Sequence, residues 1–279
     1  MAELSNKLKE DISSAIKSSP CWANYENDDM SSYTQKTQET LKTLNIQFEK
    51  GNPYQIGNDN IYFVSVDIRS ANFTSMKYYH PQLTLGCSSW EELVSKFTDV
   101  KFFTAIKIFR QKVFWLVEPT KLNKISNFLI SIAAGHIANK VGMEGCKVWI
   151  NTDELIITCP TNDPQGAKEF SEKISNSLVD CEQLSGIQLR TETYRLRVLS
   201  KKKEFIMKEV LRFGEGLDFI VEPEFKSVEP VYYAACFKHY FQLGPVEERD
   251  LKEKWNFDSN KYDFIDPNLF LEDSVRFSN

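Results

Sequence analysis

The sequence lacks most of the short motifs by which enzymes are first recognised. Its six cysteines and three histidines include no CxxC pair, no HExxH pair and no other zinc spacing. Neither a P-loop nor a GxSxG nucleophile elbow occurs. Zinc, P-loop and α/β-hydrolase chemistries are therefore not among the leading functional hypotheses. The scattered cysteines are typical of free thiols in a reducing compartment.

Long hydrophobic runs are scarce as well. The longest strongly apolar segment, 125–138, is shorter than the roughly 20 residues of a membrane span and has lysines on both sides. The opening stretch MAELSNKLKEDISSAIKSS lacks the apolar core of a signal peptide. We therefore expect an intracellular protein, cytoplasmic or nuclear, with no membrane partner.

The chain does have enough apolar material for a substantial core. Its 279 residues are 42% hydrophobic and 13% aromatic, which suits one large or two modest domains. Leucines and isoleucines at helical spacing predict a helical N-terminal cap over residues 1–55. Between 56 and 200 the order is strand, helices, two short strands, helix and strand, which predicts an α+β core with an antiparallel or mixed sheet covered by helices. Residues 201–279 form a C-terminal accessory region that begins with a predicted basic helix.

Two helices within this core have clear boundary signals. The segment TKLNKISNFLISIAAGHIANKVG has Pro119 and Thr120 at its start and Gly142 at its end. The segment SSWEELVSKF has Ser88 or Ser89 as N-cap, with two glutamates in the first turn.

Charge is unevenly distributed along the chain. The net charge is −5, yet residues 190–212 carry eight basic against three acidic side chains, and residues 215–279 carry fourteen acidic against seven basic ones. The acidic region suggests a protein partner. The basic region predicts nucleic-acid contacts, because phosphates attract clustered cations, through Arg195, Arg197, Lys201, Lys202 and Lys203. The alternative is an ordinary solvated face beside an acidic tail.

Two acids carry the main functional hypothesis. The apolar run YFVSV ends on Asp67, and the predicted hairpin KVWINTDELIIT carries Asp153 and Glu154 at its tip. If the strand pairs beside the hairpin, the acids meet at the same end of adjacent strands. Such carboxylates repel each other unless a cation lies between them, and oxygen ligands without His or Cys favour Mg²⁺ or Mn²⁺. The alternative is that both are ordinary strand-end and turn acids.

The segments VSVDIRSANF and INTDELII resemble the two acidic motifs of the palm domain of templated polymerases, reverse transcriptases, lesion-bypass polymerases and nucleotidyl cyclases. The resemblance spans residues 60–160 and implies a palm-like sheet. It implies that Asp67 and Asp153 are metal ligands and catalytic residues and that Glu154 is an auxiliary catalytic acid. It also implies that the Ile68 carbonyl is a third metal contact and that Phe73 packs under a nucleotide sugar.

Phosphate chemistry also needs positive charge, which the segment KIFRQK supplies. In a helix Lys107 and Arg110 lie at i and i+3 on one face, with Gln111 beside them. Arginine binds phosphate oxygens with a planar fork of donors, so we expect these three residues to bind phosphate. The alternative is the solvated side of an amphipathic helix whose other side is aromatic.

The sequence therefore predicts a divalent-metal-dependent nucleotidyltransferase or polymerase-like protein that acts on nucleotides or nucleic acid. The alternative, from another class, is a non-catalytic α+β module that binds a protein or a nucleic acid.

Overall fold

The structure is a computed structural model that describes residues 2–44, 46–201, 204–214, 218–244, 252–256 and 261–264. It confirms the predicted α+β class, with helices covering an antiparallel sheet. The α-helices in the described residues are α1 (Ala2–Lys17), α2 (Trp22–Asn27), α3 (Ser31–Thr43), α4 (Ala71–Tyr79), α5 (Trp90–Ser95), α6 (Phe102–Ala105), α7 (Lys107–Trp115), α8 (Pro119–Lys140), α9 (Pro164–Val179) and α10 (Tyr233–Phe241). The strands are β1 (Tyr62–Ile68), β2 (Val148–Ile150), β3 (Glu154–Thr158), β4 (Leu189–Ser200), β5 (Phe205–Phe213), β6 (Phe219–Phe225), β7 (Lys252–Asn256) and β8 (Lys261–Phe264).

The main sheet has six strands in the order β2-β3-β1-β4-β5-β6, and β7 pairs with β8 separately. Trp149 of β2 pairs with Ile156 of β3, and Val210 of β5 pairs with both Tyr194 of β4 and Glu222 of β6. From β1 to β4 the order is strand, helices, hairpin, helix, strand, which is the ferredoxin-like arrangement. In it β1 and β2 run parallel with β3 between them. The end of β1 and the turn from β2 to β3 therefore lie at the same edge of the sheet.

The strand β1 is the apolar centre of this arrangement. Phe63, Val64 and Val66 are fully buried, so successive side chains on both faces of the strand are covered. This explains a continuous apolar run in place of strict alternation.

The two predicted helix starts are confirmed. Pro119 is the first residue of α8, and Gly142, with φ of +84°, lies just beyond the end of that helix. The Ser89 Oγ caps α5 by accepting a hydrogen bond from the Glu92 backbone N–H at 3.2 Å. The buried side of α8 packs on α3, α4 and β2.

The predicted basic helix after residue 201 is wrong, because β5 occupies that segment. Its residues Phe205–Leu211 are all buried, including Lys208 and Glu209. Hydrogen-bonded neighbours on both sides, β4 and β6, outweigh the helix propensity of a lysine- and glutamate-containing segment.

Contacts divide the chain into two compact units. The first comprises residues 1–49, 65–157 and 172–191, and the second comprises 50–64, 158–171 and the described residues from 192 onward. The predicted domains, which are continuous segments with boundaries at residues 55 and 200, stay a prediction. A core in the second unit joins β5 to α10 through Leu199, Phe205, Met207, Val228, Tyr232, Ala235 and Cys236. Within the described ranges, no helix has the length and apolar character needed to cross a bilayer.

Candidate functional site

Backbone hydrogen bonds fix the predicted acids at one edge of the sheet. Asp67 is the second-last residue of β1, and the next residue, Ile68, donates its N–H to the Asp153 carbonyl oxygen at 3.0 Å. The Asn151 N–H donates to the Glu154 carbonyl oxygen at 2.8 Å, which closes the hairpin. All three acids are half-buried. The structure therefore brings Asp67, Asp153 and Glu154 together, while their catalytic and metal-binding roles stay predictions.

The electrostatics of this edge favour a cation. Burial raises the pKa of Asp67 to about 6, and the carboxylates of Asp153 and Glu154 act in the same direction. Lys107 and Arg190 oppose that rise without cancelling it. Burial also raises the pKa of Asp153, whereas a backbone hydrogen bond and the charge of Lys107 act to lower it. Surrounding side chains leave part of the carboxylate repulsion in place, and a bound cation would relieve it.

Aromatic packing positions the basic helix α7. Its buried residues Phe109 and Phe114 contact a small cluster of rings, with centroids 4.8 Å from Phe103 to Phe109 and 5.5 Å from Trp90 to Phe114. Tilted aromatic rings at these centroid distances pack favourably. With Val113 also buried on this side, the exposed residues of α7 are Lys107, Ile108, Gln111, Lys112 and Trp115.

A cleft of about 950 Å³ opens beside Asp67. Glu91 is the second acid of its lining, and four cations line it, namely Arg69, Lys107, Arg110 and Arg190. The Arg110 Nη1 donates to the Ser70 Oγ at 3.1 Å, and Ser70 holds a left-handed backbone with φ of +53°. Cations that outnumber acids in a concave surface attract anions, and guanidinium groups suit phosphate oxygens.

A second pocket, of about 560 Å³, shares Arg69 and Ser70 with the cleft. Phe73, which was predicted to lie under a nucleotide sugar, is buried and lines this second pocket together with Lys77 and Tyr78. Gln111 is exposed on α7 and is not among the residues that line the cleft. The structure therefore brings Lys107 and Arg110, but not Gln111, to the cleft that Asp67 lines.

The carboxylates at this edge suit Mg²⁺, which completes its coordination with water and phosphate, better than a metal whose ligands are all protein side chains. In the part of the chain that the structure describes, no three His, Cys, Asp or Glu side chains are grouped as a metal cage. Mg²⁺ usually binds one or two carboxylates and completes its coordination with water and substrate phosphates. A pair of carboxylates beside a cationic cleft fits that pattern.

Sequence reasoning missed Arg190 and Arg69 as cations of this cleft. Arg190 was counted in the basic stretch, but its place depends on the pairing of β4 with β1. That pairing is visible where the Arg69 N–H donates to the Gln188 carbonyl oxygen at 2.9 Å. The signal available in the sequence was the strand order of the ferredoxin-like arrangement, which places the start of β4 beside the end of β1.

Part of the basic region that is predicted to bind nucleic acid forms internal ion pairs instead. Arg195 Nε donates to Glu209 Oε2 at 2.6 Å, and Arg197 Nε donates to Glu209 Oε1 at 3.4 Å. Lys201 is exposed, whereas Lys202 and Lys203 lie outside the described residues. Eight of the fourteen acidic residues in the C-terminal region that is predicted to meet a protein partner also lie outside them. The partner roles of these residues stay predictions.

Comparisons with known proteins add no relative. No family model matches the chain, and no curated protein matches it significantly.

Proposed function

We propose that this protein is a divalent-metal-dependent nucleotidyltransferase or polymerase-like enzyme that acts on nucleotides or nucleic acid. One observation carries the proposal: half-buried Asp67, which interacts with the Asp153 carboxylate, lines a cleft that four cations also line. Negative charge that favours a metal and positive charge that favours phosphate are the two requirements of phosphoryl transfer.

The chain's own residues divide the work between metal and phosphate. Asp67 and Asp153 would hold Mg²⁺ or Mn²⁺, which supplies charge stabilisation for a leaving pyrophosphate and activation of an attacking hydroxyl group. Lys107 and Arg110 would bind the triphosphate, since their side chains reach the cleft from α7. The hydrogen bond from Arg110 to Ser70 holds that guanidinium in one orientation before substrate arrives.

The topology supports the same proposal. The ferredoxin-like order places a strand-end acid and a hairpin acid at one sheet edge, and the two segments that contain them are the ones that resemble palm motifs. This proposal accounts for a charged residue, Asp67, one position before the end of a buried strand, where packing alone would favour an apolar one.

Loss of the cleft cations should weaken triphosphate binding more than it slows turnover. Lys107→Ala and Arg110→Ala each remove one charge-assisted contact, so we expect the apparent KM for nucleoside triphosphate to rise about tenfold, with a smaller change in kcat. The assay follows radiolabelled nucleotide with primer, with primer and template, and with neither, in Mg²⁺ and in Mn²⁺.

Lys140→Ala is the matched control, because Lys140 is an exposed lysine at the end of α8 and does not line the cleft. Its KM should equal that of the wild type. Absence of any product from the wild type in all of these conditions would refute the proposed function. Equal KM values for all three variants would refute the role of the cleft cations.

A further inference from the structure

The segment that contains α7 has an unusual charge for this protein. Residues 101–117 contain four basic side chains and no acidic one, in a chain whose net charge is −5. Three of the four, Lys101, Lys107 and Lys112, are exposed. A locally cationic surface on an acidic protein attracts polyanions to that surface.

The same surface exposes large apolar side chains. The exposed fraction is 76% for Trp115, 63% for Ile108 and 51% for Phe102. An aromatic ring this exposed offers a face on which a planar group can stack.

Helix geometry arranges these residues as a track that begins at the cleft. Lys107, Gln111 and Trp115 follow one another at i, i+4 and i+8, so they form one row along α7 about 12 Å long. Lys107, at one end, lines the cleft that contains Asp67, and Trp115 stands at the other end. Lys112 lies beside the row, four residues after Ile108.

We infer that this outer face of α7 binds single-stranded nucleic acid, with a base stacked on Trp115 and a phosphate bound by Lys112. Surfaces that bind single strands combine a cationic path for the backbone with aromatic rings for the bases. A duplex keeps its bases paired and offers none to an exposed ring. The inference goes beyond the proposed function, because the face lies outside the acid pair and binding needs no metal.

A membrane surface is the main competitor, and the pattern of α7 disfavours it. An interfacial helix separates a broad apolar face from its cations. On the exposed side of α7, Ile108 and Trp115 lie side by side, with Lys107 and Gln111 on one side of them and Lys112 on the other. An apolar strip of two side chains is not the broad apolar face of an interfacial helix.

Substitution of Trp115 separates stacking from general apolar contact. We expect the full chain, in EDTA and low salt, to bind a short fluorescently labelled oligothymidine in an anisotropy titration. Trp115→Leu keeps an apolar side chain but removes the ring, and should weaken binding roughly 5- to 150-fold. Trp115→Phe keeps a ring and should lose much less.

Substitution of Lys112 tests the phosphate contact. Lys112→Ala should flatten the dependence of log K on log salt by about 0.7, the value for one lost contact to a single strand. Lys173→Ala, at an exposed lysine on α9, should leave both affinity and slope unchanged.

Three results would overturn the inference. They are no binding of the oligonucleotide by the wild type, equal affinity of the wild type and Trp115→Leu, and binding to anionic vesicles without binding to the oligonucleotide. Since no metal or turnover is involved, a protein that binds the strand in EDTA but incorporates no nucleotide would refute the proposed function and keep this inference.

Discussion

Asp67→Asn is expected to abolish nucleotide incorporation, with a loss of about a thousandfold or more. The change keeps the size of the side chain and removes its charge, so it removes one of two carboxylates that would hold the metal. A bound metal contributes several kcal/mol of charge stabilisation, and about 1.4 kcal/mol corresponds to a factor of ten in rate. The fold should persist, since the half-buried carboxylate takes part in repulsion with Asp153 and Glu154.

The control for this experiment is Asp180→Asn, at an exposed acid that follows α9. It should retain wild-type activity. Asp153→Asn should lose about as much activity as Asp67→Asn, and the double variant should lose little more than either, because residues that act as one unit are not additive. Full activity in Asp67→Asn, together with an unchanged melting curve, would remove the catalytic role of the acid pair.

Glu209→Ala is expected to lower the free energy of unfolding by about 3 kcal/mol, because it removes a buried anion from its half-buried partners Arg195 and Arg197. The Glu209 side chain is only 2% exposed. Besides Arg195 and Arg197, it accepts a hydrogen bond from the Tyr240 hydroxyl at 2.6 Å. Burial and this bond to Glu209 raise the pKa of Tyr240. The carboxylate thus joins β4, β5 and α10, and urea unfolding followed by circular dichroism measures its contribution.

Glu222→Ala provides a matched comparison in the same sheet. Glu222 accepts a hydrogen bond from Arg212 at 2.8 Å, but its side chain is 55% exposed. Exposed ion pairs contribute about 0 to 1 kcal/mol, so this variant should stay close to the wild type. Equal losses of unfolding free energy in Glu209→Ala and Glu222→Ala would show that burial does not increase the contribution of Glu209.

Local signals predicted the elements that local chemistry determines. Pro119 and Gly142 delimit α8, and Ser89 caps α5, because these residues satisfy or end a helix without help from distant parts of the chain. The turn between β2 and β3 is equally local, because only residues 151–153 separate the two strands.

Features that depend on strand order were harder to predict. Arg190 reaches Asp67 only because β4 is the neighbour of β1. The Arg195 partner, Glu209, lies on the next strand, and a register shifted by one residue would point it to the opposite face. The basic stretch therefore looked like a free polyanion surface in the sequence, while part of its charge is paired inside the sheet.

The most direct test of the central claim, that Asp67 and Asp153 share a divalent cation, is the pH titration of Asp67 with and without Mg²⁺. In EDTA its pKa of about 6 exceeds the ordinary 3.8, so the folded state binds the extra proton. The resulting stability is complete below pH 3.8 and is lost as the pH rises through 6. Bound Mg²⁺ favours the ionised form of the Asp67 carboxyl group and should therefore lower its pKa in the folded state.

Carbon-13 NMR of aspartate carboxyl groups, with the Asp67 signal assigned through Asp67→Asn, gives this titration directly. The account predicts an inflection at about pH 6 in EDTA. It also predicts that millimolar Mg²⁺ moves the inflection below about pH 5, since a neighbouring cation lowers a carboxyl pKa by about 1 to 3. The same inflection in EDTA and in Mg²⁺ would contradict the account, because it would show that no cation binds at the acid pair.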